Sequence, residues 1–161
     1  MTGVADTFFL IVLGLACAWL VWTDFRDGII PDWINALIAV LALLRVLISE
    51  GVAAAAGAAG AGLLIGAALL LLRHIYFLVR GRQGLGLGDV KFLAAAGLWT
   101  GLADFPILLL AATFMALVVA IFLHVAGRSM TARTSLPFGP FLVAGLAITL
   151  ALQTSGSQIL W

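Results

Sequence analysis

The chain is short of charge. Only 9% of its 161 residues are Asp, Glu, Lys or Arg and the net charge is +1, so there is no basic face for nucleic acid and too little polar surface to clothe a soluble domain. Cysteine is nearly missing too. Cys17 alone excludes an internal disulfide framework and any CxxC zinc knuckle. No Lys or Arg precedes Arg26, so the basic start of a secretory signal is lacking, although LGLACAW around Cys17 faintly resembles a cleavage site. Residues 6–23 are therefore expected to remain as a helix, with Cys17 a small buried hydrophobe inside it.

What the chain does have is apolar surface. It is 65% hydrophobic with a mean hydropathy of +1.26, and its charges are bunched into short segments between apolar runs, the pattern of a polytopic membrane protein. A membrane-crossing helix needs about 20 apolar residues, which allows about six spans and nothing else. The expectation is an all-α chain, one integral membrane domain over residues 1–161, with the lipid bilayer as its surroundings. The apolar runs and their charged borders put the helices at about 6–23, 33–49, 53–79, 88–103, 105–126 and 140–160.

The connecting segments alternate between two sides. One set holds Arg26, Arg73, Arg80, Arg82, Lys91, Arg128 and Arg133, while the other holds only Arg45, with Asp6, Glu50 and Asp104. By the positive-inside rule the first set is cytoplasmic and both termini lie outside, in a multi-pass protein of the cell inner membrane. Gly62 and Gly66 in the third run, and Gly97 and Gly101 in the fourth, are four apart and let helix backbones approach in lipid. Packing within the monomer is the simpler reading, and a homodimer contact is the other.

Four acids stand against the basic bias of the inner side: Asp24, Asp27, Asp32 and Asp89. Asp24 ends the first apolar run, in LVWTDFRDGIIPDW. Asp89 closes GLGLGD, where Gly84, Gly86 and Gly88 remove side chains and let another backbone come close. Counted from Val90 to Ala103, the helix after Asp89 would span only about 21 Å, short of a hydrocarbon core of about 30 Å. Either that helix begins before Asp89 or the glycine segment dips below the surface. Both place a carboxylate at or beneath the membrane boundary, where an ionisable group is costly and function is the default hypothesis. The other two acids have structural readings. Asp27 precedes Gly28 as a turn requires, and Asp32 follows Pro31 at a helix N-terminus, which favours a carboxylate.

Two carboxylates sharing a low-dielectric site leave one protonated and one ionised. The ionised acid can take a proton from water while the other donates to a peptide carbonyl oxygen. This chemistry calls for no metal, cofactor or side-chain nucleophile, and the sequence offers little for any of them. His74 and His124 stand alone on helices, and Ser49, Ser129, Ser135, Ser155 and Ser157 have no base nearby in sequence. Lys91, two residues after Asp89, has two readings: it snorkels to the headgroups, or it biases the charge of Asp89.

Three segments also carry a resemblance. DFRDGIIPDWIN has an Asp seven residues before a Pro that is followed by Asp, GLGDVKF has the GxGD pattern with Val and Lys after it, and LPFGPFLVAG opens the last helix. In order and placement they resemble the motifs of the type IV prepilin peptidases, membrane aspartic proteases of the GxGD type, across residues 24–145. The resemblance implies a GxGD-type helical bundle with Asp24 and Asp89 as the catalytic pair. Gly86 and Gly88 would shape the approach to the second acid, and Asp27, Pro31 and Lys91 belong to the same active-site segments. It implies a membrane-inserted, prepilin-like substrate whose basic leader is removed at the cytoplasmic face, after a glycine and ahead of a hydrophobic helix. Larger bacterial members also carry a cysteine-rich inner domain and N-methylate the new terminus. With only Cys17 and no insertion between helices 1 and 2, peptidase activity without methyl transfer is expected, as in the compact enzymes of Flp/Tad-type pilus systems and the archaeal preflagellin peptidases. Pro137 and Pro140 are expected only to set the entry to the last helix. The rival readings are a small polytopic transporter, for which no repeat relates 1–80 to 81–161, and a non-catalytic secretion or pilus assembly subunit.

Overall fold

The computed structural model describes residues 2–82, 84–126 and 137–159; Arg128, Arg133, Ser129 and Ser135 lie outside them. The described residues form five α-helices: α1 Thr2–Asp27, α2 Asp32–Glu50, α3 Val52–Arg80, α4 Leu87–Val125 and α5 Gly139–Ile159. The first four are long and apolar enough to cross a membrane, and Gly139–Ser155 is a shorter apolar stretch. The bundle is apolar outside as well as inside. Leu63, Leu110 and Phe122 are each more than 70% exposed, which suits hydrocarbon and would be costly in water.

Helices 4 and 5 of the sequence reading form one 39-residue element, and its break falls at Gly101 rather than near Asp104. Gly101 adopts φ 71°, ψ 176°, a conformation that a side chain disfavours. The two arms, 87–100 and 102–125, run in opposite directions along α5. Gln153 of α5 donates to the Thr100 carbonyl at 3.0 Å and to Asp104 at 2.6 Å, while Gly145, two turns earlier, lies against Leu108 and Ala112. Gln153 thus occupies the carbonyl that the break strips of its helical partner.

Packing is close where glycines permit it. A Cβ on Gly62 would sit 2.9 Å from the Ala94 carbonyl, Gly66 faces Ala94, and Gly97 meets Ile65. The small residues of α3 and α4 therefore pack within the chain. From the contact of Gly66 with Ala94, α3 runs on for 14 residues while α4 runs back only seven to Leu87, so α3 overshoots by roughly 10 Å at 1.5 Å per residue. A core of Leu20, Ile34, Ile38, Phe92, Leu108 and Leu142 joins the helices around one axis.

The charges separate along that axis. Arg26, Arg80, Arg82 and Lys91 lie where α1 ends, α3 ends and α4 begins. Arg45 belongs to the opposite end, where it bonds Asp6 at 3.0 Å and lies over the Trp99 ring.

Candidate active site

Asp24 occupies the last turn of α1, which stops because Gly28 takes up the left-handed conformation (φ 64°) and returns its N–H to the Asp24 carbonyl. The Asp24 side chain is only 6% exposed. Its Oδ2 accepts a 2.8 Å hydrogen bond from the Gly139 N–H, the first residue of α5, so the carboxylate faces the positive end of that helix. The contact depends on glycine. A Cβ at residue 139 would lie 2.7 Å from the same oxygen and 3.1 Å from Leu20.

Asp89 is the third residue of α4, and its carboxylate takes a hydrogen bond from the Gly86 backbone. This is the return half of a capping box, an acid at the third helical position bonding the N–H of the cap residue. Gly86 must again be small, since a Cβ there would stand 2.9 Å from Asp89 Oδ2. The GLGD turn is pinned from the side by α2. Gly88 abuts Ile30, and its carbonyl accepts a 3.4 Å hydrogen bond from the buried Asn35.

Asp24 and Asp89 line one cavity of about 610 Å³ at the end of the bundle, together with Asp27, Gly28, Gly86, Gly88, Pro137 and Phe138. Asp24 lies near enough for Asp89 to feel its charge. Of the residues singled out in the sequence, Asp24, Asp27, Gly86, Gly88 and Asp89 thus meet in one place. Pro31 and Lys91 do not line the cavity. Pro31 precedes the first turn of α2 in extended conformation, and Lys91 bonds both carboxylate oxygens of Asp32 at 2.7 Å. Lys91 is therefore engaged by Asp32 and fastens the start of α4 to the start of α2. Among the described residues no three His, Cys, Asp or Glu side chains gather in a metal-binding group.

Two residues of the site went unremarked in the sequence. Gly139 sits between Phe138 and Pro140 in LPFGPFLVAG, a segment that carries part of the resemblance but to which no site role is given in the sequence, and its position before a proline at a helix start is the available signal. Asn35 is a polar residue one turn after Asp32, at the head of an apolar run that lasts to Leu44, which is a signal for a buried bond.

A family model described as "Type IV leader peptidase family" matches residues 8–121. Among curated proteins, the Prepilin leader peptidase/N-methyltransferase of Burkholderia pseudomallei (strain K96243) is 42% identical over 80 residues, covering 50% of this chain and 26% of that protein. The protein of the same name from Neisseria gonorrhoeae is 36% identical over 97 residues, 59% of this chain and 32% of that protein. Leader peptidase HopD of Escherichia coli is 44% identical over 70 residues, 43% of this chain and 44% of that protein. The matched stretches thus span less than half the length of these relatives. No solved structure matches the chain at a significant level.

Proposed function

We propose, from the premise that the chain belongs to the type IV leader peptidase family, that it is a membrane aspartic endopeptidase that removes the leader of a prepilin-like, membrane-inserted substrate. Asp24 and Asp89 are the catalytic pair in this reading. The observation that carries it is their convergence: acids on α1 and α4 line a single cavity, and each is approached by a glycine that a methyl group would block.

In this mechanism the two carboxylates hold one proton between them, because like charges in a poorly solvated site cannot both stay ionised. A water molecule in the cavity gives a proton to the ionised acid as its oxygen attacks the scissile carbonyl carbon. The protonated acid donates to the carbonyl oxygen, and a tetrahedral diol results. Collapse of the diol breaks the C–N bond. The leaving nitrogen takes up the proton gained from water, and a hydroxyl of the diol returns its proton to the other acid, which restores the starting state. Gly86 and Gly88 keep the peptide's path to Asp89 open. Asp27, on the cavity lining, adds a modest, screened attraction for a basic leader.

The site is placed on the cytoplasmic side of the inner membrane, with both termini outside. Arg26, Arg80, Arg82 and Lys91 gather at the site end of the helices, which supports that orientation. Methyl transfer is not part of the proposal, since α1 and α2 are joined only by residues 28–31. The test is cleavage of a co-expressed prepilin-like substrate by wild type, Asp24→Asn and Asp89→Asn. Both variants are expected to lose processing while inserting normally in the membrane. Processing retained by either one refutes the mechanism, and a methyl group added to the product N-terminus by this chain refutes the second expectation.

A further inference from the structure

A second cavity of about 550 Å³ runs along the seam between α1 and α5 and is almost wholly apolar. Its α1 wall includes Gly14, Cys17, Ala18 and Val21, and its α5 wall includes Val143 and Ala147. Gly14, Cys17 and Val21 lie on one helical face that continues to Asp24, while Ala147 and Val143 lie on one that continues to Gly139. Both walls therefore lead to the hydrogen bond between Asp24 and Gly139. From Gly14 to Asp24 the rise is about 15 Å, nearly three turns of helix.

We propose that this seam is the track in which the apolar helix of the substrate lies while its scissile bond is held at Asp24 and Asp89. The inference rests on the peptidase reading above. A substrate is one continuous chain, so the residues just beyond the bond under attack must occupy space adjoining the two acids. The seam ends one helical turn short of the Asp24–Gly139 bond, with Val21 one turn from Asp24 and Val143 one turn from Gly139. Its floor suits a helix. Gly14 and Ala18 are exposed, and nothing lies within 4 Å of a Cβ built on Gly14, so a second backbone can come close, as small residues allow in lipid. The other large apolar cavity, between α2, α3 and α4, has no wall on α1 or α5, the two helices joined by the bond between Asp24 and Gly139. The Lys91–Asp32 ion pair and the bond from Asn35 to Gly88 stand between it and the catalytic cavity.

The same glycine geometry supplies the test. Gly14→Leu projects a side chain into the seam from a Cβ that meets nothing within 4 Å. Gly60→Leu is the matching control, because Gly60 on α3 also has nothing within 4 Å and does not line the seam. The probe is a synthetic peptide with a basic leader, a glycine and a 20-residue apolar helix, reconstituted with the full-length chain in phosphatidylethanolamine and phosphatidylglycerol vesicles. A short peptide spanning the same bond without the helix is the comparison. Gly14→Leu is expected to lower the ratio of kcat/KM for the helical probe to that for the short peptide about tenfold, and Gly60→Leu to leave it in place. Independently of turnover, a photoreactive side chain at position 14 in an Asp89→Asn background is expected to crosslink to the apolar segment of the probe. Crosslinks from position 14 to phospholipid alone, equal crosslinking from position 60, or an unchanged ratio in Gly14→Leu overturns the track. Failure of wild type to cleave either probe refutes the peptidase reading instead, while the crosslinks still report on the seam.

Discussion

Replacing Gly139 by alanine puts the smallest possible obstacle at the centre of the site. The added Cβ would stand 2.7 Å from Asp24 Oδ2, whereas ordinary contact begins near 3.4 Å, so the carboxylate has to withdraw by about 0.7 Å. It has little room, because Asp24 is only 6% exposed, and the new Cβ cannot itself turn aside freely, since it also meets Leu20 at 3.1 Å. Withdrawal along that line also stretches the 2.8 Å bond from the Gly139 N–H to the edge of hydrogen bonding, a loss of about 1 to 3 kcal/mol depending on the charge of the acid. A catalytic group misplaced by close to 1 Å costs up to roughly a hundredfold in rate. The expected outcome is a loss of roughly tenfold to a hundredfold in kcat on a prepilin-like substrate, with helix content and membrane insertion retained. Gly86→Ala is expected to do the same to a smaller degree, since its Cβ would lie 2.9 Å from Asp89 Oδ2. The assay is single-turnover cleavage in vesicles, with thermal unfolding in detergent as the control for folding. Wild-type kcat in Gly139→Ala, with the protein folded, would refute the claim that the opening of α5 positions Asp24.

Two further predictions address other parts of the molecule. Lys91 is held by Asp32 in an exposed ion pair, so Lys91→Gln is expected to cost less than about 1 kcal/mol of stability and to leave the pH dependence of cleavage where it is; a displaced acid limb would mean that Lys91 acts on Asp89 after all. Gln153→Leu removes both bonds that close the Gly101 break, so thermal unfolding is expected to show a loss of about 1 to 3 kcal/mol, and unchanged stability would mean that water or lipid headgroups serve the Thr100 carbonyl equally well.

The two acids proposed for the site stand out in the sequence, for a reason particular to membranes. In a chain so poor in charge, an acid at the edge of an apolar run stands out, and Asp24 and Asp89 were conspicuous without knowledge of where either one pointed. The helices were legible for the same reason, and four of the expected six, at 6–23, 33–49, 53–79 and 140–160, fall within about four residues of α1, α2, α3 and α5 at each end. The other two, expected at 88–103 and 105–126, fall within about three residues of the arms 87–100 and 102–125 of α4, with the break at Gly101 rather than Asp104. Gly97 and Gly101 share a four-residue spacing, and nothing local separates a glycine that seats a neighbouring helix from one that reverses the chain. Gly97 does the first, against Ile65, and Gly101 does the second. The difference lies in Gln153, some fifty residues away, which supplies a donor for the carbonyl laid bare at Thr100.

The sequence by itself determined the apolar helices and singled out the two acids at their borders, because hydropathy and the cost of a buried charge are properties of residues and their immediate neighbours. The tertiary structure decided which backbone N–H meets Asp24, that Lys91 turns to Asp32, and that an apolar seam lies between α1 and α5. Each of these joins groups on separate helices, and such partnerships are set by how helix faces pack against one another, which the spacing of residues along one helix does not specify.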